Sequence, residues 1–171
     1  MMVTTGILKA KKIWLFALAA VTLLFAFNTT SFSAAYVQSW HLVDSGKHLD
    51  YDGDSIYMSH ITTGAGIWNG YKSGVIRPDS IWVIEDVYVT DIEIANGYTG
   101  VTYASGKIEL NVYYLSDHST TRRTNTATHE LGHALGLDHS TSTDIMGPIQ
   151  TTILTLSQND KDSYDLAYSK Y

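Results

Sequence analysis

Eleven consecutive residues, His129-Glu130-Leu131-Gly132-His133-Ala134-Leu135-Gly136-Leu137-Asp138-His139, constrain this 171-residue chain more than any other stretch. They read H-E-x-x-H-x-x-G-x-x-H. On an α-helix, residues four apart stand one turn above each other on the same face, so His129 and His133 can address one point in space. Glu130 is turned about 100° around the axis, which sets it beside that point rather than on it. Leu131, Ala134 and Leu135 fall on the other side and are expected to enter a core. Gly136 comes three residues after His133, where a left-handed residue would stop the helix and let the chain return His139 to the same point. Three imidazoles can hold a zinc ion and leave one position for water, and a neighbouring carboxylate can take that water's proton. The pattern therefore predicts His129, His133 and His139 as zinc ligands and Glu130 as a general base. A bare H-E-x-x-H occurs by chance on solvated helices; Gly136 and His139 at this spacing favour the metal site. A purely structural zinc is disfavoured, because such sites close with four protein ligands, often cysteines, and the chain has no cysteine.

These residues resemble the metzincin metalloproteases, and among them the matrixins. The resemblance includes Ser140 directly after the third histidine and continues through Ser142-Thr143-Asp144-Ile145-Met146-Gly147-Pro148. It implies that Met146 is the methionine of the Met-turn, a hydrophobic floor beneath the zinc. Thr155-Leu156-Ser157-Gln158-Asn159-Asp160 looks like the start of the last matrixin helix. The likeness is good from residue 126 onward and loose before it. Two departures stand out. Gly147 occupies a place where matrixins commonly carry tyrosine or another bulky residue, so the wall of the primary specificity pocket is expected to differ. The histidine-rich loop that binds a second, structural zinc in many matrixins has no counterpart.

The first residues read as a secretory signal. Lys9, Lys11 and Lys12 precede an apolar run over residues 13–27 broken only by Thr22, and small residues follow. Cleavage is expected before Tyr36, with a cut before Ala34 as the alternative. The apolar run is short for a membrane span of about twenty residues, so no membrane attachment is expected after cleavage. Residues 36–171 then form one catalytic domain, with room for one core. Residues 1–35 hold three of the 11 basic side chains and none of the 17 acidic ones, so the remaining domain carries 8 against 17, a formal charge of −9. Such a surface argues against nucleic acid as a partner. Without cysteine no disulfides are expected, nor the latency of many matrixins in which a propeptide thiolate blocks the zinc; with fold-like sequence from about residue 37, no long propeptide is expected either. A secreted monomer is expected.

Along the domain, residues 37–43 alternate loosely and predict a first strand. Residues 47–54 read as a polar, turn-rich approach. Asp54 or Ser55 is expected to cap a helix running to about Lys72, although three glycines weaken it, each costing about 1 kcal/mol against alanine. Residues 75–77 and 81–92 predict strands, the second from its β-branched and aromatic content. Asn96-Gly97 marks a turn, with further strands over residues 98–104 and 107–114. Residues 116–125 read as a polar loop, with Thr124 or Asn125 capping the zinc helix. Ser157 with Asp160 forms a variant capping box for a final helix, which also can brace the Met-turn. The order predicts an α+β domain of helices packed on a small mixed sheet. The metzincin resemblance implies the same zincin-like arrangement of twisted sheet, active-site helix, Met-turn and C-terminal helix, with residues 99–104 as the strand along the substrate cleft. Its backbone can pair with an extended peptide; the side chains that bind substrate are not assigned.

The remaining charged residues have bland expectations. His41, His48, His60 and His118 lack metal-ligand spacing. Asp50, Asp52 and Asp54 are expected to be a solvated turn or a cap, with calcium binding as the alternative. Arg122 and Arg123 are expected at the surface, with substrate contact as the alternative. Asp138 either accepts a hydrogen bond near the third ligand or holds the turn. The function these expectations converge on is a secreted zinc-dependent endopeptidase acting on peptide or protein substrates. A non-catalytic extracellular peptide-binding module and a zinc hydrolase of non-peptide amides are the alternatives.

Overall fold

The computed structural model describes residues 35–81 and 83–171. Residues 1–34 of the expected signal segment, and Trp82 within an expected strand, lie outside the described residues. Among the described residues five strands form one mixed sheet: β1 (Leu49–Gly53), β2 (Ile76–Pro78), β3 (Val87–Ile92), β4 (Gly100–Tyr103) and β5 (Lys107–Asn111), in the order β2-β1-β3-β5-β4. The pairings β2–β1, β1–β3 and β3–β5 are parallel, and β4 joins β5 antiparallel as an edge strand, opposite β2 at the other edge. Alternation decides the buried face. Val87 and Val89 on β3 and Ile108 and Leu110 on β5 are fully buried, whereas Tyr88 is exposed. Among the described residues four helices complete the α+β fold: α1 (Met58–Asn69), the single-turn α2 (Val112–Leu115), α3 (Thr120–Ala134) and α4 (Gln158–Tyr168).

The core lies where α1 and α3 meet. Ile61, Ala65 and Trp68 recur at helical spacing on α1 and are buried. Trp68 also donates its indole N–H to the Thr128 carbonyl of α3 at 2.8 Å and meets Tyr164 of α4 edge-on, with centroids 5.5 Å apart. A buried indole needs such an acceptor. One side chain thus ties three helices together behind the candidate site.

Several expectations are corrected. Residues 37–43 form no strand; only Val37 bridges, to Leu137. The inner strand is instead β1, inside the stretch that reads as a polar turn. Asp50 is buried in it, and Arg77 clasps both its carboxylate oxygens at 2.8 and 2.7 Å, an arrangement that lets a charge sit in a sheet. Asp50, Asp52 and Asp54 do not converge; among the described residues the acidic cluster is Asp44, Asp50 and Asp86, and Arg77 supplies its cation. The strand expected over residues 81–92 begins only at Val87. Asp86 fixes that start: its carboxylate accepts from the Asp50 N–H at 2.9 Å and its own N–H donates to the Asp50 carbonyl at 2.8 Å. Ile81, Val83 and Ile84 before it are exposed, β-formers without a strand to pair with.

Helix boundaries shift too. α1 starts after Tyr57 with no side-chain cap, because Ser55 spends its hydroxyl on Asp91 and accepts from the Tyr57 N–H; it ends at Asn69 rather than Lys72, with Gly70 as its C-cap. The last part of the strand expected over residues 107–114 is α2, capped by Asn111. Much of the loop expected over residues 116–125 is helical, since α3 is capped at Ser119, not at Thr124 or Asn125. Thr124 and Thr128 turn their hydroxyls back to the carbonyls of Thr120 and Thr124, which accommodates threonine inside a helix.

Candidate active site

α3 carries His129 and His133 on one face, one turn apart. The helix then stops on a Schellman motif. Gly136 has φ of 89°, its N–H donates to the His133 carbonyl at 2.9 Å, and the Leu137 N–H donates to the Gly132 carbonyl at 3.0 Å. Asp138 holds the next turn by accepting from the His139 N–H at 2.7 Å. The chain thereby delivers His139 Nε2 to 3.2 Å from the Nε2 atoms of both His129 and His133. The other ring nitrogens fix the tautomers: His129 Nδ1–H donates to the Ile145 carbonyl at 2.8 Å, and His133 Nδ1–H to the Leu137 carbonyl at 2.9 Å. Burial pushes His129 down to about 4 and lowers His133 as well, so both rings are neutral with Nε2 lone pairs facing inward.

Glu130 stands beside this cluster, buried against β4. Burial raises its carboxyl, opposed by His133 and by a hydrogen bond from Thr102, whose hydroxyl donates to Oε2 at 2.7 Å. Beneath the histidines runs the loop after His139. Met146 is buried, and the Ile145 and Met146 N–H groups each donate to a different oxygen of Asp160 on α4 at 3.1 Å. Ser157 and Asp160 make the expected capping box, so the same carboxylate starts α4 and holds the loop. Asp144 anchors the loop's other end. Its burial would raise the carboxyl, but hydrogen bonds from Asn159 and Thr141 outweigh that and hold it at about 2.

Met146 reaches the helix because Gly132 has no side chain: a Cβ there would overlap the Met146 sulfur and lie 2.9 Å from Trp68. Gly132→Ala is accordingly expected to destabilise the metal-free protein by about 1–3 kcal/mol, the usual result of overpacking, read from its denaturant midpoint. An unchanged midpoint would mean that the loop yields freely.

The cluster opens into a cleft of about 1080 Å³. β4 and the turn at Asn96-Gly97 form one wall, and Pro148, Ile149 and Gln150 form the other. Gly147 is buried, and a Cβ there would lie 2.8 Å from the Thr141 carbonyl, so the bulky residue of the resemblance has no space here. Arg123 is not among the cleft residues; its guanidinium donates to the carbonyls of Leu115 and Ser116.

The family model for matrixins matches residues 19–169. The chain belongs to the matrixin family. This places it among zinc metalloproteases of the metzincin fold. No curated protein matches it. Among solved structures it is similar to the GM1-bound form of the ECX AB5 holotoxin, at 16% identity and TM-score 0.44 over 63% of this chain and 59% of that one. It is also similar to high choriolytic enzyme 1, a hatching enzyme zinc-protease from the medaka fish Oryzias latipes. That match has 20% identity and TM-score 0.33 over 64% of this matrixin and 52% of that chain. The matrixin thus spans between half and three-fifths of the length of these structures.

The residues fit the zinc that the family implies. A tetrahedral site with Zn–N distances of about 2.0–2.1 Å has edges of about 3.3–3.4 Å, close to the 3.2 Å separations of the Nε2 atoms. Neutral imidazoles with lone pairs aimed at each other repel unless a cation lies among them. Three nitrogen donors leave the position toward the cleft open, as in hydrolytic rather than structural zinc sites.

Some contributors were not legible in the sequence. Gln38 lies where the resemblance is only loose, yet its amide donates to the Leu137 carbonyl at 2.8 Å and lies 2.7 Å from His133 Nδ1. Thr102 sits in a strand with no motif. Only contact through space identifies them.

Proposed function

We propose that this matrixin is a secreted zinc-dependent metalloendopeptidase, with His129, His133 and His139 as zinc ligands, Glu130 as general base and Met146 as the Met-turn methionine. The observation that carries the reading is the convergence of three Nε2 atoms beside a buried carboxylate, at the floor of a cleft walled by an outermost strand. Secretion is supported by the basic and apolar pattern of the first residues; no helix among the described residues is long and apolar enough to cross a membrane.

β4, an edge strand whose residues line the cleft, can take an extended peptide as an added strand, with main-chain hydrogen bonds fixing the scissile bond over the histidines. Zinc, when bound, supplies Lewis-acid polarisation and lowers the pKa of water. Glu130 takes one proton from the attacking water as its oxygen bonds the scissile carbonyl carbon. It then gives that proton to the departing nitrogen as the C–N bond breaks, and the carboxylate is restored.

The test is metal analysis of the purified protein together with cleavage of a peptide library, the products identified by mass. About one zinc per chain is expected, with hydrolysis lost on treatment with a strong chelator and recovered on adding zinc back. Full activity in metal-free protein would end the proposal. Peptide binding without cleavage would favour the non-catalytic module, and cleavage confined to non-peptide amides the other hydrolase.

A further inference from the structure

Gly100 and Thr102 are two apart on β4 and therefore share one face of the strand, the face toward Glu130. Thr102 contacts Glu130 twice. Its hydroxyl donates to Oε2 at 2.7 Å and lies 3.0 Å from the Glu130 main-chain carbonyl, so it is located from two sides. Gly100 provides the clearance: a Cβ there would stand 2.7 Å from Oε1 and 2.8 Å from Cγ. Oε1 has no hydrogen-bond partner among the described residues, whereas Oε2 is occupied.

We propose that Thr102 is a positioning residue for the Glu130 carboxylate, holding Oε2 so that Oε1 is the oxygen presented for proton transfer, with Gly100 giving that carboxylate its space. The inference rests on the reading of Glu130 as general base. A carboxylate on two rotatable bonds sweeps a wide arc unless one oxygen is held, and proton transfer needs hydrogen-bond reach in a defined direction. Here the holding group comes from the strand that also walls the cleft. The strand that would receive the peptide is thus the strand that aims the base, and neither can shift without the other.

Thr102→Val keeps the branched shape and removes the hydroxyl, while Thr102→Ser keeps the hydroxyl. For Thr102→Val, kcat is expected to fall about tenfold or more while KM stays within about twofold, with zinc content as in the native protein and the chain still folded at assay temperature. Thr102→Ser is expected to recover kcat to within about threefold of native. A Thr102→Val protein with native kcat, or a Thr102→Ser protein impaired as far as Thr102→Val, would overturn the inference. A second readout needs neither zinc nor turnover. In the metal-free protein, Glu130→Gln should move the Thr102 methyl resonance in a carbon–proton NMR spectrum, and an unmoved resonance would overturn the contact. The two readings fail separately. An active Glu130→Gln protein removes the base itself, whereas an inert Glu130→Gln beside a fully active Thr102→Val removes only the positioning role.

Discussion

Glu130→Gln is expected to lower kcat/KM on a cleaved peptide by about 10²–10⁴-fold, the range associated with losing a general base, while zinc stays at its native level. The amide keeps the shape of the side chain and offers an oxygen to the Thr102 hydroxyl, so the wall of the cleft is retained. The histidines are untouched, because their orientation comes from the Ile145 and Leu137 carbonyls rather than from Glu130. What disappears is a group able to carry a proton from water to the leaving nitrogen. Kinetics on one defined peptide, paired with metal analysis of the same preparation, measures both halves. Undiminished hydrolysis would strip Glu130 of its role, and lost zinc would show that the carboxylate matters to the site's assembly.

The second large effect is expected at Asp160. Its buried carboxylate accepts from three backbone N–H groups, those of Ile145, Met146 and Ser157, at 3.1, 3.1 and 2.9 Å. Asp160→Ala leaves all three without an acceptor. At about 1–3 kcal/mol for each buried donor left unsatisfied, and allowing for partial relaxation, the expected loss is about 3–5 kcal/mol. Asp160→Asn retains one carbonyl oxygen and should fall between the two. Denaturant unfolding is best followed in metal-free protein, so that bound zinc does not mask the difference by mass action. Zinc affinity should weaken in parallel, because the Ile145 carbonyl that orients His129 lies in the loop Asp160 holds. A stability change below about 1 kcal/mol would mean that the loop is held by other contacts.

The site was more legible in the sequence than the sheet, for a physical reason. The histidines, Glu130 and Gly136 lie within eleven residues, where helix geometry and one left-handed turn fix their relations. The capping box at Ser157 and Asp160 is equally local. β1 was hidden because Asp50 looks like turn chemistry until Arg77, 27 residues away, neutralises it in the sheet. The exposed Ile81, Val83 and Ile84 mislead in the opposite direction: their side chains favour strands, but Asp86 fixes where pairing with β1 begins. The start of α3 was missed because its threonines are poor helix formers in isolation and are accommodated by hydroxyl bonds one turn back. Gln38, Thr102 and the Met146–Gly132 contact leave no local pattern at all.

The bond from Asp160 to the Met146 loop also bears on timing. Domains emerge from the ribosome beginning with their N-terminal residues. The three histidines are therefore translated before the carboxylate that secures the loop under them. A nascent chain can carry the whole zinc-binding motif and still lack a finished catalytic centre, since the Ile145 and Met146 amides have no acceptor until α4 folds. On the proposed function, the loop beneath the histidines is secured only once Asp160 has been made and α4 has folded, so the site would be completed late in biosynthesis.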